Sequence, residues 1–281
     1  MSRIGCSLSA ELRKVLATKL WWILAVVLAG YSAMIAAMFA FMFGAMADAL
    51  GAAGTGDAAA LPAQQIANMV YSSVSSFGYA VPLLLGALMA TGELRHRTLG
   101  IAFTLEPRRG IVLLSKAVVL LGFGIVLGIA GLAGAMGAGA SVLSATGGDP
   151  MLGSVDTWLL AMRVLAAIGV WAIIGFGIGL LVGNQAFTIV IALVFTQFVE
   201  PILRTAAQFW EWSAQVAKFL PGAATDAFVG ASLMDNLSAL DPTAPAGSTP
   251  LGIGAGFAVL AAYAVVFVLA GWALRWRRDV V

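Results

Sequence analysis

Six long apolar runs constrain the fold of this chain more than any other feature of its sequence. They cover roughly residues 21–45, 66–90, 112–142, 158–182, 186–203 and 251–273. Because about 20 helical residues cross roughly 30 Å of hydrocarbon, each run is long enough to span a membrane. Helices satisfy their own backbone polar groups in lipid, so the runs predict an all-α integral membrane protein with six transmembrane helices.

The composition agrees with a membrane protein and excludes an ordinary soluble domain. Hydrophobic residues make up 61% of the 281 residues and charged residues only 10%, whereas soluble domains carry about a quarter charged residues. The apolar runs are continuous and do not alternate, which argues against a transmembrane barrel. The basic residues are spread over several loops, so the net charge of +2 predicts no nucleic-acid surface.

The positions of Lys and Arg predict the orientation of the chain. Positive charges near the ends of spans are preferentially retained in the cytoplasm. Most of the 15 basic residues lie before the first span, between the second and third spans, or after the last span. Both termini are therefore predicted to be cytoplasmic. The Ala- and Gly-rich composition suggests a bacterial inner membrane.

Two segments outside the spans predict helices at the membrane surface. Residues 8–19 are expected to form an amphipathic interfacial helix on the inner side, with Leu8, Leu12, Val15 and Leu16 opposite Glu11, Arg13 and Lys14. The alternative is a charged lead-in that serves only topology. Residues 204–240 mix aromatic and charged side chains, which predicts short interfacial or re-entrant helices on the outer side before the last span.

Motifs for catalysis and nucleotide binding are missing from the sequence. It contains neither a G-x-x-x-x-G-K-[ST] phosphate loop nor a G-x-S-x-G nucleophile elbow. One histidine and one cysteine are too few for the usual zinc sites. We therefore predict a non-catalytic chain that has no cofactor or metal of its own.

The most informative segment is the loop 92–116 between the second and third spans. It contains Gly92-Glu93-Leu94-Arg95-His96-Arg97-Thr98, then Pro107-Arg108-Arg109 and Lys116. In this order of residues the chain resembles the ABC-2 type (type-2 ABC exporter) permeases, although His96-Arg97 replaces a glycine that is frequent there. The resemblance extends to the amphipathic N-terminal helix, the six spans and the long outer segment, and so covers most of the chain as one transmembrane domain.

This resemblance implies a function and partners. In such permeases the loop docks on a separate ATPase subunit, which binds ATP and Mg, and the N-terminal helix supports the same contact. The chain would be the six-span half of an exporter, paired with a second copy or a sister permease, moving an amphiphilic drug, antimicrobial peptide or lipid outward. The implied coupling residues are Gly92, Glu93, Arg95, His96, Arg97, Thr98, Pro107, Arg108, Arg109 and Lys116, with Glu11, Arg13 and Lys14.

Other functions stay open at this point. The loop could be a positive-inside loop without a partner. The chain could also be a membrane binding or immunity scaffold, or a secondary transporter that works without an ATPase. Against a secondary transporter, the spans lack a clear run of ionisable residues, and no paired broken helices announce an inverted repeat in the sequence.

Polar residues and glycines within the spans give three further predictions. One face of the second span either lines a substrate path between two permease subunits or packs against other helices, and it carries Asn68, Tyr71, Ser72, Ser75, Ser76 and Tyr79. Arg163 and Glu200 are expected to form a buried ion pair, or else to snorkel to the interface. Close helix packing is expected at the regularly spaced glycines Gly124, Gly128, Gly175, Gly179 and Gly183.

Overall fold

The computed structural model describes residues 3–52, 61–95, 108–207, 211–231 and 251–276. Within these ranges the regular structure is helical. The helices are α1 (Arg3–Ala17), α2 (Leu20–Ala52), α3 (Ala63–Phe77), α4 (Ala80–Arg95), α5 (Arg109–Ala145), α6 (Val155–Val182), α7 (Gln185–Val194), α8 (Glu200–Ala206), α9 (Glu211–Ala217), α10 (Pro221–Val229) and α11 (Ile253–Gly271), with π-helices at Phe195–Val199 and Trp272–Trp276.

Six of these helical stretches are long and apolar enough to cross a membrane, as the sequence predicts. We number them span 1 (Leu20–Ala45), span 2 (Ala63–Arg95), span 3 (Arg109–Ala145), span 4 (Val155–Val182), span 5 (Gln185–Ala206) and span 6 (Ile253–Leu274). Spans 2 and 4 lie at the centre, where 67% and 72% of their most apolar windows are buried. The corresponding fraction is 22% in spans 5 and 6, so these two spans lie at the periphery.

Small residues let the central spans approach each other closely. A methyl group at Gly175 would overlap the backbone of Leu83 in span 2, and one at Gly124 would lie 2.7 Å from Gly169 Cα in span 4. Gly179 and Gly128 make comparably close approaches, so the predicted packing role is confirmed for these four glycines. Gly183 differs from them because it ends α6 with a left-handed φ of 67°.

Two spans are interrupted near their middles, which the sequence analysis did not expect. In span 2, Pro82 lacks the N–H that would reach the carbonyl of Gly78, so Val81 N donates to that carbonyl instead, at 3.1 Å. The helix breaks there, between α3 and α4. In span 5 the π-helix Phe195–Val199 separates α7 from α8. Span 2 thus has a break between two α-helices, whereas the helix of span 5 continues through a π-helix.

The N-terminal helix α1 turns a different side toward the protein than its amphipathic pattern predicts. Glu11 and Val15 are buried against the bundle, and Leu8 is half-buried. Leu12 and Leu16, which belong to the predicted apolar side, are 44% and 50% exposed. Glu11 can be buried on this side because it forms ion pairs with Lys14 and Lys116.

Candidate functional site

Four charged residues from three separate elements form a closed network, which we call the charge cluster: Glu11, Lys14, Glu93 and Lys116. Lys116 Nζ lies 2.6 Å from Glu11 Oε2 and 2.5 Å from Glu93 Oε1. Lys14 Nζ lies 2.7 Å from Glu11 Oε1 and 3.2 Å from Glu93 Oε1. Two carboxylates thus face two ammonium groups, and the network is neutral.

Burial makes the charge cluster sensitive to the loss of any member. The side chains of Glu11 and Lys116 are each 6% exposed, and that of Glu93 is 11% exposed. Buried charges are tolerated only when they are paired. Burial lowers the pKa of Lys14, but its hydrogen bond to Glu11 and the charges of Glu93 and Glu11 outweigh that effect and raise its pKa above the ordinary value.

The charge cluster links α1 to both spans that flank the segment 96–107. Glu93 lies in the last turn of span 2, and Lys116 lies in the second turn of span 3. Glu11 and Lys14 belong to α1, and Glu11 contacts span 3 through Lys116. The charge cluster therefore joins α1 to the adjoining ends of both spans.

The other predicted coupling residues that the structure describes are not members of the charge cluster. Arg13 and Arg108 are exposed, Gly92 and Arg109 are half-buried, and the Arg95 guanidinium lies 3.5 Å from Gln185 Oε1. His96, Arg97, Thr98 and Pro107 lie outside the described residues. The sequence indicated which charged residues belong to this region, but not that four of them bind one another.

A second group of polar residues lies where the break of span 2 meets the π-helix of span 5. The Tyr79 hydroxyl, at the break of span 2, donates a 2.8 Å hydrogen bond to the carbonyl oxygen of Thr196 in span 5. That carbonyl lacks a donor from its own helix, because Glu200 N bonds to the carbonyl of Phe195 and Pro201 has no N–H. The side chain of Tyr79 therefore replaces the missing backbone donor.

The ring of Tyr79 also connects to the short helix α10. It stacks on Trp171 of span 4, with ring centroids 4.4 Å apart. Trp171 Nε1 donates a 3.0 Å hydrogen bond to Thr225 Oγ1 of α10. Since Tyr79 and Trp171 lie near the middles of their spans, α10 reaches deep into the bundle.

Two acidic residues hold α10 against span 5. Glu200 Oε1 accepts hydrogen bonds from the N–H groups of Gly222 and Ala223 in the first turn of α10. One turn along each helix, Arg204 Nη2 lies 2.7 Å from Asp226 Oδ2. The hydroxyl of Ser76 in span 2 donates to Asp226 Oδ1 at 3.1 Å. We call Ser76, Tyr79, Glu200, Arg204 and Asp226 the polar cluster.

The expected ion pair between Arg163 and Glu200 is not formed among the described residues. Arg163 Nη1 instead donates to the carbonyl of Val229, at the last residue of α10, over 3.3 Å. Glu200 binds the first turn of the same helix. The prediction of the pair is wrong because α10 lies between the two side chains, and the sequence did not reveal that placement.

Four of the six residues on the polar face of span 2 are buried inside the chain, and Asn68 and Ser76 are half-buried. Ser72 and Ser75 donate to backbone carbonyls one turn earlier, and Tyr71 donates to the carbonyl of Pro150. Asn68 Oδ1 accepts from Gln64. Only Ser76 and Tyr79 of the six predicted residues reach the polar cluster, so in this structure the face serves mainly in packing.

Several members of this site were missed by the sequence analysis. Trp171, Thr196 and Gly222 carry no charge, and their roles depend on which helices touch. Gly222 is needed because a methyl group there would lie 2.5 Å from Glu200 Oε1. A sequence signal existed in the Glu200-Pro201 pair, since a carboxylate beside a helix-breaking proline within an apolar run is unusual.

Comparison with known proteins assigns no function to the charge cluster or the polar cluster. No family model and no curated protein matches the chain. Within the described ranges, no group of three or more His, Cys, Asp or Glu residues could hold a metal ion.

Proposed function

We propose that this chain is the transmembrane permease subunit of an ATP-binding cassette exporter, powered by a separate ATPase subunit that binds ATP and Mg. The observation that supports this proposal is the charge cluster, which joins α1 to both spans that flank the segment 96–107. A partner that pushes on this segment would move α1, span 2 and span 3 as one unit. The sequence resemblance of the loop to ABC-2 type permeases supports the same function.

The proposed orientation places the charge cluster in the cytoplasm and the polar cluster toward the outside. Exposed basic side chains at the cytoplasmic end, Arg13 and Arg108 among them, agree with the positive-inside rule. Helix α10 would then be a re-entrant helix that enters from the outer surface. A bacterial inner membrane and a second permease copy or sister subunit complete the proposal, with an amphiphilic substrate moved outward.

Co-purification tests the proposed partner. The full chain, tagged at its C-terminus, would be purified from its native host in mild detergent, and the accompanying proteins would be quantified by mass spectrometry. We expect a P-loop ATPase with the wild type. Reversing the charge of Arg95, which is exposed at the start of the segment 96–107, is expected to reduce the recovered ATPase by about tenfold, as a loss of roughly 1.4 kcal/mol would do.

Lys218→Glu is the matched control for Arg95→Glu. Lys218 lies beyond the other end of span 5 and bonds only locally, to Gln215. This reversal should leave ATPase recovery unchanged. A wild-type preparation without any ATPase would contradict the proposed function. Equal losses of ATPase in both variants would contradict a docking role for the segment 96–107, which follows Arg95.

A second candidate function, a secondary transporter without an ATPase, is favoured by one observation. Two interrupted spans meet through Tyr79 and Thr196 beside the buried carboxyl group of Glu200. Interrupted helices around an ionisable residue are a common feature of such transporters. Transport by the purified chain in vesicles that lack ATP and an ATPase would favour this second candidate over the exporter.

A further inference from the structure

The N-terminal helix α1 leaves part of its apolar side uncovered by the protein. Leu12 and Leu16, which lie one turn apart, are 44% and 50% exposed. Glu11 and Val15, on another side of the helix, are buried against the bundle. Because α1 is followed directly by span 1, these leucines lie near the end of a membrane span. An amphipathic helix in that position is suited to contact with the membrane interface.

The exposed strip continues onto span 1. Lys19 is exposed, and its carbonyl accepts a 3.3 Å hydrogen bond from Ile23 N, so the first helical turn of span 1 includes it. Trp22, Ile23 and Val26 follow on the same side of the helix and are 47%, 43% and 63% exposed. Tryptophan near the end of a span is typical of the headgroup level. Lys19 therefore lies where the hydrocarbon meets the lipid headgroups.

The exposed charges of this strip are positive. Glu11 is the acidic residue of α1, and it is buried in the neutral charge cluster. Arg13 and Lys19 are exposed, and neither has a hydrogen bond or an ion pair within the part of the chain that the structure describes. Both lie one helical turn along the sequence from Leu16, Arg13 before it and Lys19 after it. Two cations thus flank an exposed apolar side chain.

We propose that this strip binds an anionic phospholipid of the bilayer, and we call its residues the lipid corner: Leu12, Arg13, Leu16, Lys19 and Trp22. The phosphate pairs with the Arg13 guanidinium and the Lys19 ammonium group, and the acyl chains run along Leu16 and Trp22. A zwitterionic lipid carries an ammonium group of its own, which both cations repel. The lipid corner therefore prefers a headgroup with a net negative charge, such as that of phosphatidylglycerol.

A lipid fits the lipid corner better than a protein partner does. The exposed strip is continuous with the side of span 1 that carries Ile23 and Val26 into the hydrocarbon, and a water-soluble partner cannot cover that side. The charge cluster holds another side of α1 through Glu11. Helix α1 is thereby held between the bilayer and the bundle. Lipid binding here does not depend on the proposed function, since a secondary transporter would present the same surface.

Fluorescence quenching by brominated lipids tests the lipid corner in the full chain. Cys6, the single cysteine, is replaced by Ser, and Leu16→Cys is labelled with bimane. The protein is reconstituted in vesicles of equal parts phosphatidylcholine and phosphatidylglycerol, with bromine on the acyl chains of one lipid or the other. We expect brominated phosphatidylglycerol to quench about threefold or more better than brominated phosphatidylcholine, as two basic residues near a headgroup would cause.

Met34→Cys is the matched control position for Leu16→Cys. Met34 is 62% exposed on the same span. It lies 15 residues beyond Lys19 in the sequence, roughly 22 Å along the helix. Bimane at this position contacts acyl chains without a basic side chain nearby. The two brominated lipids should therefore quench it equally.

Two pairs of substitutions separate charge from structure. Arg13→Gln with Lys19→Gln removes both charges at exposed positions, and the quenching ratio at Leu16→Cys should fall to about one. Arg13→Lys with Lys19→Arg keeps both charges and should keep the ratio. High NaCl screens the same charges in the protein that retains Arg13 and Lys19, so it lowers the ratio even if the neutral pair does not fold.

Three results would overturn the lipid corner. The first is equal quenching by both lipids at Leu16→Cys while Arg13 and Lys19 are present. The second is a preference for phosphatidylglycerol that survives both neutralisation and high NaCl. The third is a neutral pair that keeps this preference but loses the co-purifying ATPase, because the two cations would then bind a protein. Absence of an ATPase from the wild type contradicts only the proposed function.

Discussion

Arg163 and Glu200 bind opposite ends of the same short helix, α10. The Glu200 carboxylate accepts from N–H groups in its first turn, and the Arg163 guanidinium donates to the carbonyl of Val229 in its last turn. Both contacts complement the helix dipole, which is positive at the N-terminus and negative at the C-terminus. Two residues that are 37 positions apart in the sequence therefore position one helix without touching each other.

Double-mutant analysis should find no direct interaction between these two residues. Arg163→Gln and Glu200→Gln each weaken one end of α10, and their effects on the free energy of unfolding should be coupled by no more than about 1 kcal/mol, because the two residues share α10 but do not touch. SDS titration in mixed micelles measures these free energies. A coupling well above that size would support the direct ion pair that the sequence suggested.

Tyr79→Phe should destabilise the protein by about 1–3 kcal/mol, because it leaves the buried carbonyl of Thr196 without a donor. The stacking of the ring on Trp171 is retained in this variant. Pro201→Ala supplies a backbone N–H near the same carbonyl, so Tyr79→Phe should cost less in that background. SDS titration again gives the free energies.

Tyr263→Phe is the matched control for Tyr79→Phe. The Tyr263 hydroxyl donates to the carbonyl of Phe219 at an exposed position, over a longer distance of 3.1 Å. We expect an effect of less than about 0.5 kcal/mol. Equal losses of unfolding free energy at both tyrosines would show that the hydrogen bond to the carbonyl of Thr196 stabilises the protein no more than the exposed bond does.

Gly222→Ala should loosen the contact between α10 and span 5. The added methyl group would meet Glu200 Oε1 at 2.5 Å, and displacing that oxygen breaks its bonds to the first turn of α10. Overpacking of this kind destabilises by about 1–3 kcal/mol. Gly254→Ala is the control, because nothing lies within 4 Å of its added methyl group. The melting temperatures of the two variants in detergent should differ clearly, and identical values would refute the close contact.

Lys116→Met should be among the most damaging substitutions in the chain. It leaves Glu11 and Glu93 buried with only the half-exposed Lys14 between them, and breaking a buried ion pair costs about 3–5 kcal/mol. Adding Glu11→Leu removes one of the two carboxylates that have lost Lys116 as an ion-pair partner, and should restore most of the lost stability. The folded fraction after heating, measured by size-exclusion chromatography, reports both effects. Failure of the double variant to recover would mean that the charges act independently.

Local patterns in the sequence are sufficient to predict the membrane-spanning architecture. Runs of apolar residues are local features, and the cost of an unsatisfied backbone in lipid leaves helices as the only solution for runs of this length. The close approaches at Gly124 and Gly175 were also predictable, since small residues permit helix contact wherever they occur. The assignment of Glu11, Glu93 and Lys116 to one predicted coupling region came from a family resemblance and not from local spacing.

The contacts between polar groups of different helices could not be predicted from local patterns. The polar cluster joins residues from spans 2 and 5 and from α10, and the partner of each depends on helix packing rather than on local spacing. For the same reason the sequence paired Arg163 with Glu200, although α10 lies between them. A charged or polar group can be buried only where it is paired or hydrogen-bonded. When the partner is distant in the sequence, its identity depends on how the helices pack.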